Sequence, residues 1–240
     1  MNKTKIETII VDKTIYIRMS NLLLVFDTET SGLWPKSDNE TKNEYPFIVQ
    51  LSFVVFDIDE NKIVKTYNEY IKQNESMNFN SQAFKINNIT KEMCDNGVDI
   101  VEALNQFYTY YMNVKHIIAH NFEFDKKMIQ LEILRNYESL NTNECFGIQV
   151  LFNDTFNELW KLKTNCTMIM GKHITNITIK GRHGPFKKMP KLIELYKKLF
   201  NETPKNLHNS LIDCIVCLKC FIKIQYDKIL DNNELEIELE

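Results

Sequence analysis

No apolar run in this 240-residue chain approaches the roughly 18 residues that a membrane-spanning helix needs. The first 20 residues are mixed polar and β-branched, which is not the make-up of a secretory leader. Excess positive charge is missing as well. The 29 Lys and Arg stand against 32 Asp and Glu, a formal net charge of −3. That excludes a uniformly basic coat, although a local patch, not the total, sets the field a ligand meets. A disorder-prone composition is also absent, since 44% of the residues are hydrophobic and 25% are charged. With no leader before them, Cys94, Cys145, Cys166, Cys214, Cys217 and Cys220 read as free thiols in a reducing compartment. The expectation is an intracellular protein of the cytoplasm or nucleus, without a membrane partner.

What is present reads as one large domain with insertions. Residues 5–19 hold two β-branched bursts, so residues 1–20 are expected to form an N-terminal extension or hairpin. Residues 22–26 (LLLVF) are a continuous apolar run, the signal of a strand buried on both faces. Residues 47–58 and 62–71 read as two further strands joined by a turn at 59–61. Val101, Leu104, Phe107 and Tyr111 recur at helical spacing within 99–112. The pattern predicts a short strand at 116–119, then helices over 122–136, 191–200 and 210–226. Helical stretches at 154–162 and 165–171 are the expectation within the hard-to-read segment 137–189. The order argues for an α/β sandwich around a mixed sheet, with residues 21–228 as the domain and 229–240 as an acidic tail.

Asp27 and Glu29 stand at i and i+2 just past the first buried strand, so period-2 geometry puts both on one face. Two carboxylates there are costly unless a cation sits between them, and Mg²⁺ prefers oxygen ligands. Asp125 and Asp213 each fall in the first turn of an expected helix, where an anion is also welcome as a simple capping acid. His208 precedes Asp213 by five residues, and an imidazole suits a base that takes a proton from water near neutral pH. Cys214, Cys217 and Cys220, at i, i+3 and i+6, face a core better than a metal, and no fourth ligand has fitting spacing.

These residues fall in three motifs: FDTETSGL at 26–33, IIAHNFEFD at 117–125 and LHNSLIDC at 207–214. In register and order they resemble the DnaQ-like 3′–5′ exonucleases, in the branch whose last motif carries a histidine. SQAFKINNITKEMCDNG and KLIELYKKLF between them extend the likeness to about residues 20–228. The resemblance implies a ribonuclease H-like α/β fold with a five-stranded mixed sheet flanked by helices. It implies two Mg²⁺ or Mn²⁺ ions held by Asp27, Glu29, Asp125 and Asp213. It implies His208 as the base that deprotonates water, and 5′-mononucleotides as products. It also places Thr28, Thr30 and Leu33 against the terminal nucleotide, with His120 and Asn121 close to the substrate. Leu33 has a case of its own: an apolar side chain after a glycine is either a wedge between the last two bases or a buried loop anchor.

Departures from the family lie in the longer segments 34–46 and 137–189. An Asp-Thr pair common among relatives finds its counterpart either at Cys166-Thr167 or at Asp154-Thr155. Residues 180–198 hold seven Lys or Arg and one Glu. Phe186, Lys187 and Lys188 in this stretch are candidates for binding the substrate strand, the lysines at its phosphates and the ring, like Trp34, on a base. The partner is thus nucleic acid with a free 3′ end, DNA by a slight preference over RNA. A protein partner in a replication, repair or RNA-processing assembly fits a chain with no polymerase attached. A silent scaffold, or an endonuclease on the same metals, stays open at this point.

Overall fold

A computed structural model describes residues 6–11, 14–19, 21–35, 45–73, 77–142, 146–204 and 207–231. Most of the long loop 34–46, the end of the acidic tail and Cys145 lie outside these residues. β1 (Ile6–Val11) and β2 (Thr14–Met19) pair antiparallel in a two-stranded sheet of their own.

The main sheet is built on β3 (Leu22–Thr30), β4 (Ile48–Asp57) and β5 (Lys62–Tyr70). Short helices α1 (Gln82–Asn87) and α2 (Lys91–Asp95) lead to α3 (Ile100–Tyr111) and β6 (His116–Ala119). α4 (Phe122–Arg135), α5 (Tyr137–Thr142) and α6 (Asp154–Leu159) precede β7 (Lys163–Cys166). α7 (Thr167–Thr175), the hairpin β8 (Thr178–Gly181) and β9 (Gly184–Lys187), α8 (Leu192–Phe200) and α9 (Ser210–Tyr226) complete the order. Strand order is β5-β4-β3-β6-β7. β4 is antiparallel to β3 and β5, and β6 is parallel to β3 and β7. This is the five-stranded mixed sheet flanked by helices that the resemblance implies. No helix among the described residues is long and apolar enough to cross a membrane.

The sheet is covered on both faces, which is why β3 and β4 read as unbroken apolar runs. Leu22, Leu24 and Phe26 join Phe53 and Val55 under α3 and α4, where they meet Leu104, Phe107, Tyr111 and Ile129. The alternate residues Leu23 and Val25 join Val54, Phe56 and Ile118 under α9, against Cys214, Cys217, Leu218 and Phe221. Each such aliphatic or aromatic side chain contributes roughly 1.5–3 kcal/mol on burial. Cys214 and Cys217 are thus packed thiols of the helix face that seals the sheet, and Cys220 on the same helix is buried as well.

One sequence reading of segment 137–189 is corrected, and a run left without an assigned element gains one. Residues 163–166 form the edge strand β7, and the helix begins only at Thr167 and runs to Thr175. The basic, turn-rich run around 177–190 holds a β-hairpin. Cys166-Thr167 stands at the junction of β7 and α7, with Cys166 paired to Ala119 of the second motif, whereas Asp154-Thr155 opens α6.

Candidate active site

Alternation along β3 carries past its apolar half. Leu23 and Val25 face α9, so Asp27 and Glu29 do too. A β-bulge follows directly, between Glu29 and Thr30, and turns the chain out toward Leu33. Asp213 sits in the first turn of α9, above the same face. Asp125 sits in the first turn of α4, which starts where β6 ends. Acids from three elements therefore converge at the carboxyl ends of the parallel strands β3 and β6, where open α/β sheets place their ligands.

Hydrogen bonds fix this convergence. The Thr28 N–H and hydroxyl both donate to Asp125 Oδ1, at 3.0 and 2.8 Å. The His208 N–H donates to Asp213 Oδ2 at 3.1 Å, from a left-handed backbone with φ 73°. Asn209 caps α9 by accepting from Leu211 and Ile212. In the β3–β4 ladder Asp27 stands opposite Ser52, and Glu29 opposite Gln50. The fully buried Ser52 hydroxyl meets that of Ser210, the first residue of α9, and donates to Asn68. A polar layer thus lies on the floor of the site, joining sheet to helix.

The acids repel one another in the absence of a cation. Burial first, then the charges of Asp125, Asp213 and Glu29, hold the Asp27 carboxyl well above the usual range. Burial, then Asp213 and Asp125, pushes Glu29 up to about 8, against a hydrogen bond from Asn87. Burial takes Asp125 to about 7 despite the two Thr28 donors, and Asp213 to about 6 despite the His208 N–H. Ligand atoms of Glu29, His208 and Asp213 lie within 4.8 Å of one another, a candidate metal-binding triad. Asp27 and Asp125 are outside that group but within its electrostatic reach. A set of carboxylate oxygens with one imidazole fits a hard divalent cation of the Mg²⁺ or Mn²⁺ type.

A cavity of about 450 Å³ opens beside Glu29, between the turn after β3 and α1. Its walls include Thr30, Leu33, Ser81, Ala83, Ile86 and Asn87. Leu33 is 87% exposed at its rim, so it is no buried anchor, and Ile86 is 47% exposed across from it. Thr28 and Thr30 turn inward: Thr28 binds Asp125, and Thr30 donates to the Gly32 carbonyl. The other side of the loop is tied down by Arg135, which donates to the carbonyls of Tyr45 and Pro46 and pairs with buried Glu132. Asn87 and Ile86 were not singled out from sequence; their signal is the run SQAFKINNIT, noted only for its resemblance.

The other sequence candidates stand on neighbouring elements. Asn121, at φ 66°, is the exposed cap residue of α4. His120 has both ring nitrogens engaged, Nδ1 with Thr167 Oγ1 at 2.9 Å and Nε2 with the Pro190 carbonyl at 3.1 Å. Burial pushes its pKa down to about 4. It braces the strand end and offers the substrate no free nitrogen in this arrangement. Trp34 packs on Tyr45, with Lys127 over its ring, instead of standing free for a base. Lys187 donates to Thr178 and Asn176, and Lys188 pairs with Glu194. Phe186 stands on β9, half exposed.

An exonuclease family model matches residues 24–221. No curated protein matches the chain in sequence. Among solved structures it is similar to E. coli exonuclease I in complex with a dT13 oligonucleotide. Identity is 13% over 85% of this chain and 41% of that one, with a TM-score of 0.58. It is also similar to a 3′-exonuclease described in 3′-end-specific recognition of a histone mRNA stem-loop. There identity is 11% over 88% of this chain and 66% of that one, with a TM-score of 0.57. At such identities the likeness is one of fold, and the chain spans well under half the length of exonuclease I.

Proposed function

The chain belongs to the DnaQ-like exonuclease family, and on that footing we propose that it removes nucleotides one at a time from the 3′ end of a nucleic-acid strand. The observation that carries this reading is the gathering of Glu29, His208 and Asp213 within 4.8 Å, beside buried Asp125 and half-buried Asp27 and next to an open cavity. Residues 21–228 form the exonuclease domain, and 1–20 an extension to it. The work is intracellular, alone or with a protein partner in a replication, repair or RNA-processing assembly.

Asp27, Glu29, Asp125 and Asp213 hold two Mg²⁺ or Mn²⁺ ions in this reading. When bound, the ions supply the positive charge that offsets the four carboxylates and the charge developing on the phosphodiester oxygens. His208 is exposed beside Glu29 and Asp213, so its imidazole is accessible to a water poised there. It accepts that water's proton as the oxygen attacks phosphorus. The bond to the 3′ oxygen of the preceding nucleotide breaks, that oxygen takes a proton from solvent, and a 5′-mononucleotide leaves. The terminal nucleotide lodges in the cavity between the β3 turn and α1, with Leu33 and Ile86 on either side of its base. Thr28 serves by holding Asp125, and Thr30 by holding the turn that presents Leu33.

Single-stranded or frayed DNA is the proposed substrate. The support is that exonuclease I, similar in fold, was crystallised with dT13 and dA16 oligonucleotides. RNA is the second arm, because the similar 3′-exonuclease acts in recognition of an mRNA stem-loop. The test uses 5′-labelled DNA and RNA strands of matched sequence, with Mn²⁺ or with chelator, and products resolved by length. A metal-dependent ladder receding from the 3′ end, lost in Asp27→Asn and reduced about 10²–10⁴-fold in His208→Ala, is the expected result. Intact strands with folded, Mn²⁺-loaded protein would overturn the reading, and internal cuts would make it an endonuclease.

A further inference from the structure

The β8–β9 hairpin is exposed along its length and belongs to no core cluster among the described residues. Its two faces differ. Ile179 and Phe186 are cross-strand partners on one face, and Gly181 and Gly184 are the next pair along it. The Phe186 ring packs against Gly181: a Cβ at that glycine would sit 2.7 Å from the ring. The ring is therefore held by the hairpin itself, yet remains 51% exposed, beside an Ile179 that is 39% exposed. Arg182 and His183 form the exposed turn.

The hairpin is also anchored to the site. Lys188 N–H closes its base on the Ile177 carbonyl, and two residues on, the Pro190 carbonyl meets His120 Nε2. His120 directly precedes the cap of α4, the helix that delivers Asp125. Two residues, Lys188 and Met189, separate β9 from Pro190, so the hairpin's root lies within about 11 Å of the proline that His120 contacts. The nucleotide cavity lies on the other flank, at the β3–β4 turn. With the sheet ordered β4-β3-β6, the acids stand between cavity and hairpin.

We propose that the β8–β9 hairpin binds the single-stranded part of the substrate upstream of the scissile phosphate, with an unstacked base on the Phe186–Ile179 face and phosphates at the Arg182–His183 turn. The inference rests on the exonuclease reading for the strand's direction, but not for the binding itself. A strand whose 3′ nucleotide fills the cavity and whose phosphate crosses the acids continues toward β6 and the hairpin's root. An aromatic ring held in place and half exposed is a stacking platform that tolerates any base, and a cationic turn gives salt-dependent affinity.

The test measures binding in chelator, where nothing is cleaved, by fluorescence anisotropy of labelled DNA and RNA strands of 4 and 20 nucleotides. Phe186→Ala is expected to weaken 20-nucleotide binding at least about fivefold and to leave 4-nucleotide binding unchanged. Phe186→Trp keeps a ring and should retain binding. Gly181→Val keeps Phe186 but displaces it, and should behave like Phe186→Ala. Equal binding of the long strand by wild type and Phe186→Ala, or no binding by wild type, would overturn the proposal. So would self-association that Phe186→Ala abolishes while strand binding persists, which would make the face a protein contact. Phe186-dependent binding without any cleavage in Mn²⁺ would sink the catalytic reading alone.

Discussion

The hydroxyls of Ser52 and Ser210 meet at 2.5 Å, both side chains fully buried, one on β4 opposite Asp27 and the other at the first residue of α9. Ser52 also donates to Asn68, so Ser210 is the donor between the two serines. The contact pins the end of α9 that carries Asp213, and the His208 loop before it, onto the strand beside Asp27. Ser210→Ala removes the hydrogen bond that the buried Ser52 oxygen accepts, at a cost of about 0.5–1.5 kcal/mol in unfolding free energy. It should also raise the Mn²⁺ concentration for half-maximal activity severalfold, because Asp213, a proposed ligand, loses its register. The double variant with Ser52→Ala should lose less than the sum of the two singles, with a coupling of about 0.5–3 kcal/mol. Urea melts and Mn²⁺ titrations check this; strictly additive losses would mean that the two hydroxyls do not act as a pair.

Thr28 provides a sharper electrostatic probe. Its hydroxyl and N–H both stabilise the charged form of Asp125, whose burial already pushes it up to about 7. Thr28→Val removes one of these donors with little change in volume. A hydrogen bond to a charged group is worth about 1.5–3 kcal/mol, so the Asp125 pKa should rise by about one to two units. The acid limb of the pH–rate profile should then move to higher pH, with the alkaline limb unmoved. A uniform loss across all pH values would point to misplacement of the helix instead.

Raised carboxylates make the metal-free protein unusual in its pH dependence. Burial and mutual repulsion lift Glu29 to about 8, Asp125 to about 7 and Asp213 to about 6. Their ordinary values in an unfolded chain are near 4, so between these limits the folded state binds more protons than the unfolded one. Stability is therefore greatest below pH 4 as far as these groups go, and is lost as pH rises through 6 to 8. Thermal melts in chelator should fall by several degrees between pH 5.5 and 8. Adding Mg²⁺ or Mn²⁺ should flatten or reverse the slope if these acids hold the ions as proposed, since a carboxylate binds a cation only when deprotonated. A metal-free melting temperature that climbs with pH would contradict the crowding of these acids.

The legibility of the chain followed the strength of burial. β3, β4, α3 and α9 are sealed between layers, so their periodicity or continuous apolarity shows in the sequence. β7 is an edge strand of Lys163, Thr164, Asn165 and Cys166, with two residues exposed and two partly so, and its composition carries no strand signal. It exists because β6 offers it a parallel ladder, a tertiary cause that no local pattern records. The hairpin at Phe186 is similarly short and exposed. At the site, the acids were legible because carboxylates after a buried strand need an explanation. The fates of His120 and Trp34 were not: each is captured by a neighbour distant in sequence, Pro190 and Thr167 in one case, Lys127 in the other.

Leu33 separates a role in the reaction from a role in the fold more cleanly than any ligand does. At 87% exposure it gives the folded protein almost nothing to lose, so Leu33→Ala should leave unfolding free energy within about 0.5 kcal/mol of wild type. If a terminal base covers it in the complex, the buried side chain is worth roughly 1.5–3 kcal/mol, and kcat/KM should fall on the order of tenfold or more. The fall should be equal on 4- and 20-nucleotide strands, because every strand has one 3′ end. Phe186→Ala, by contrast, should affect only the long strand. Ile86→Ala, on the opposite wall of the same cavity, should follow the Leu33 pattern. Unchanged kcat/KM in both cavity variants would show that the terminal base does not lie between these side chains and that the strand approaches the acids from another direction.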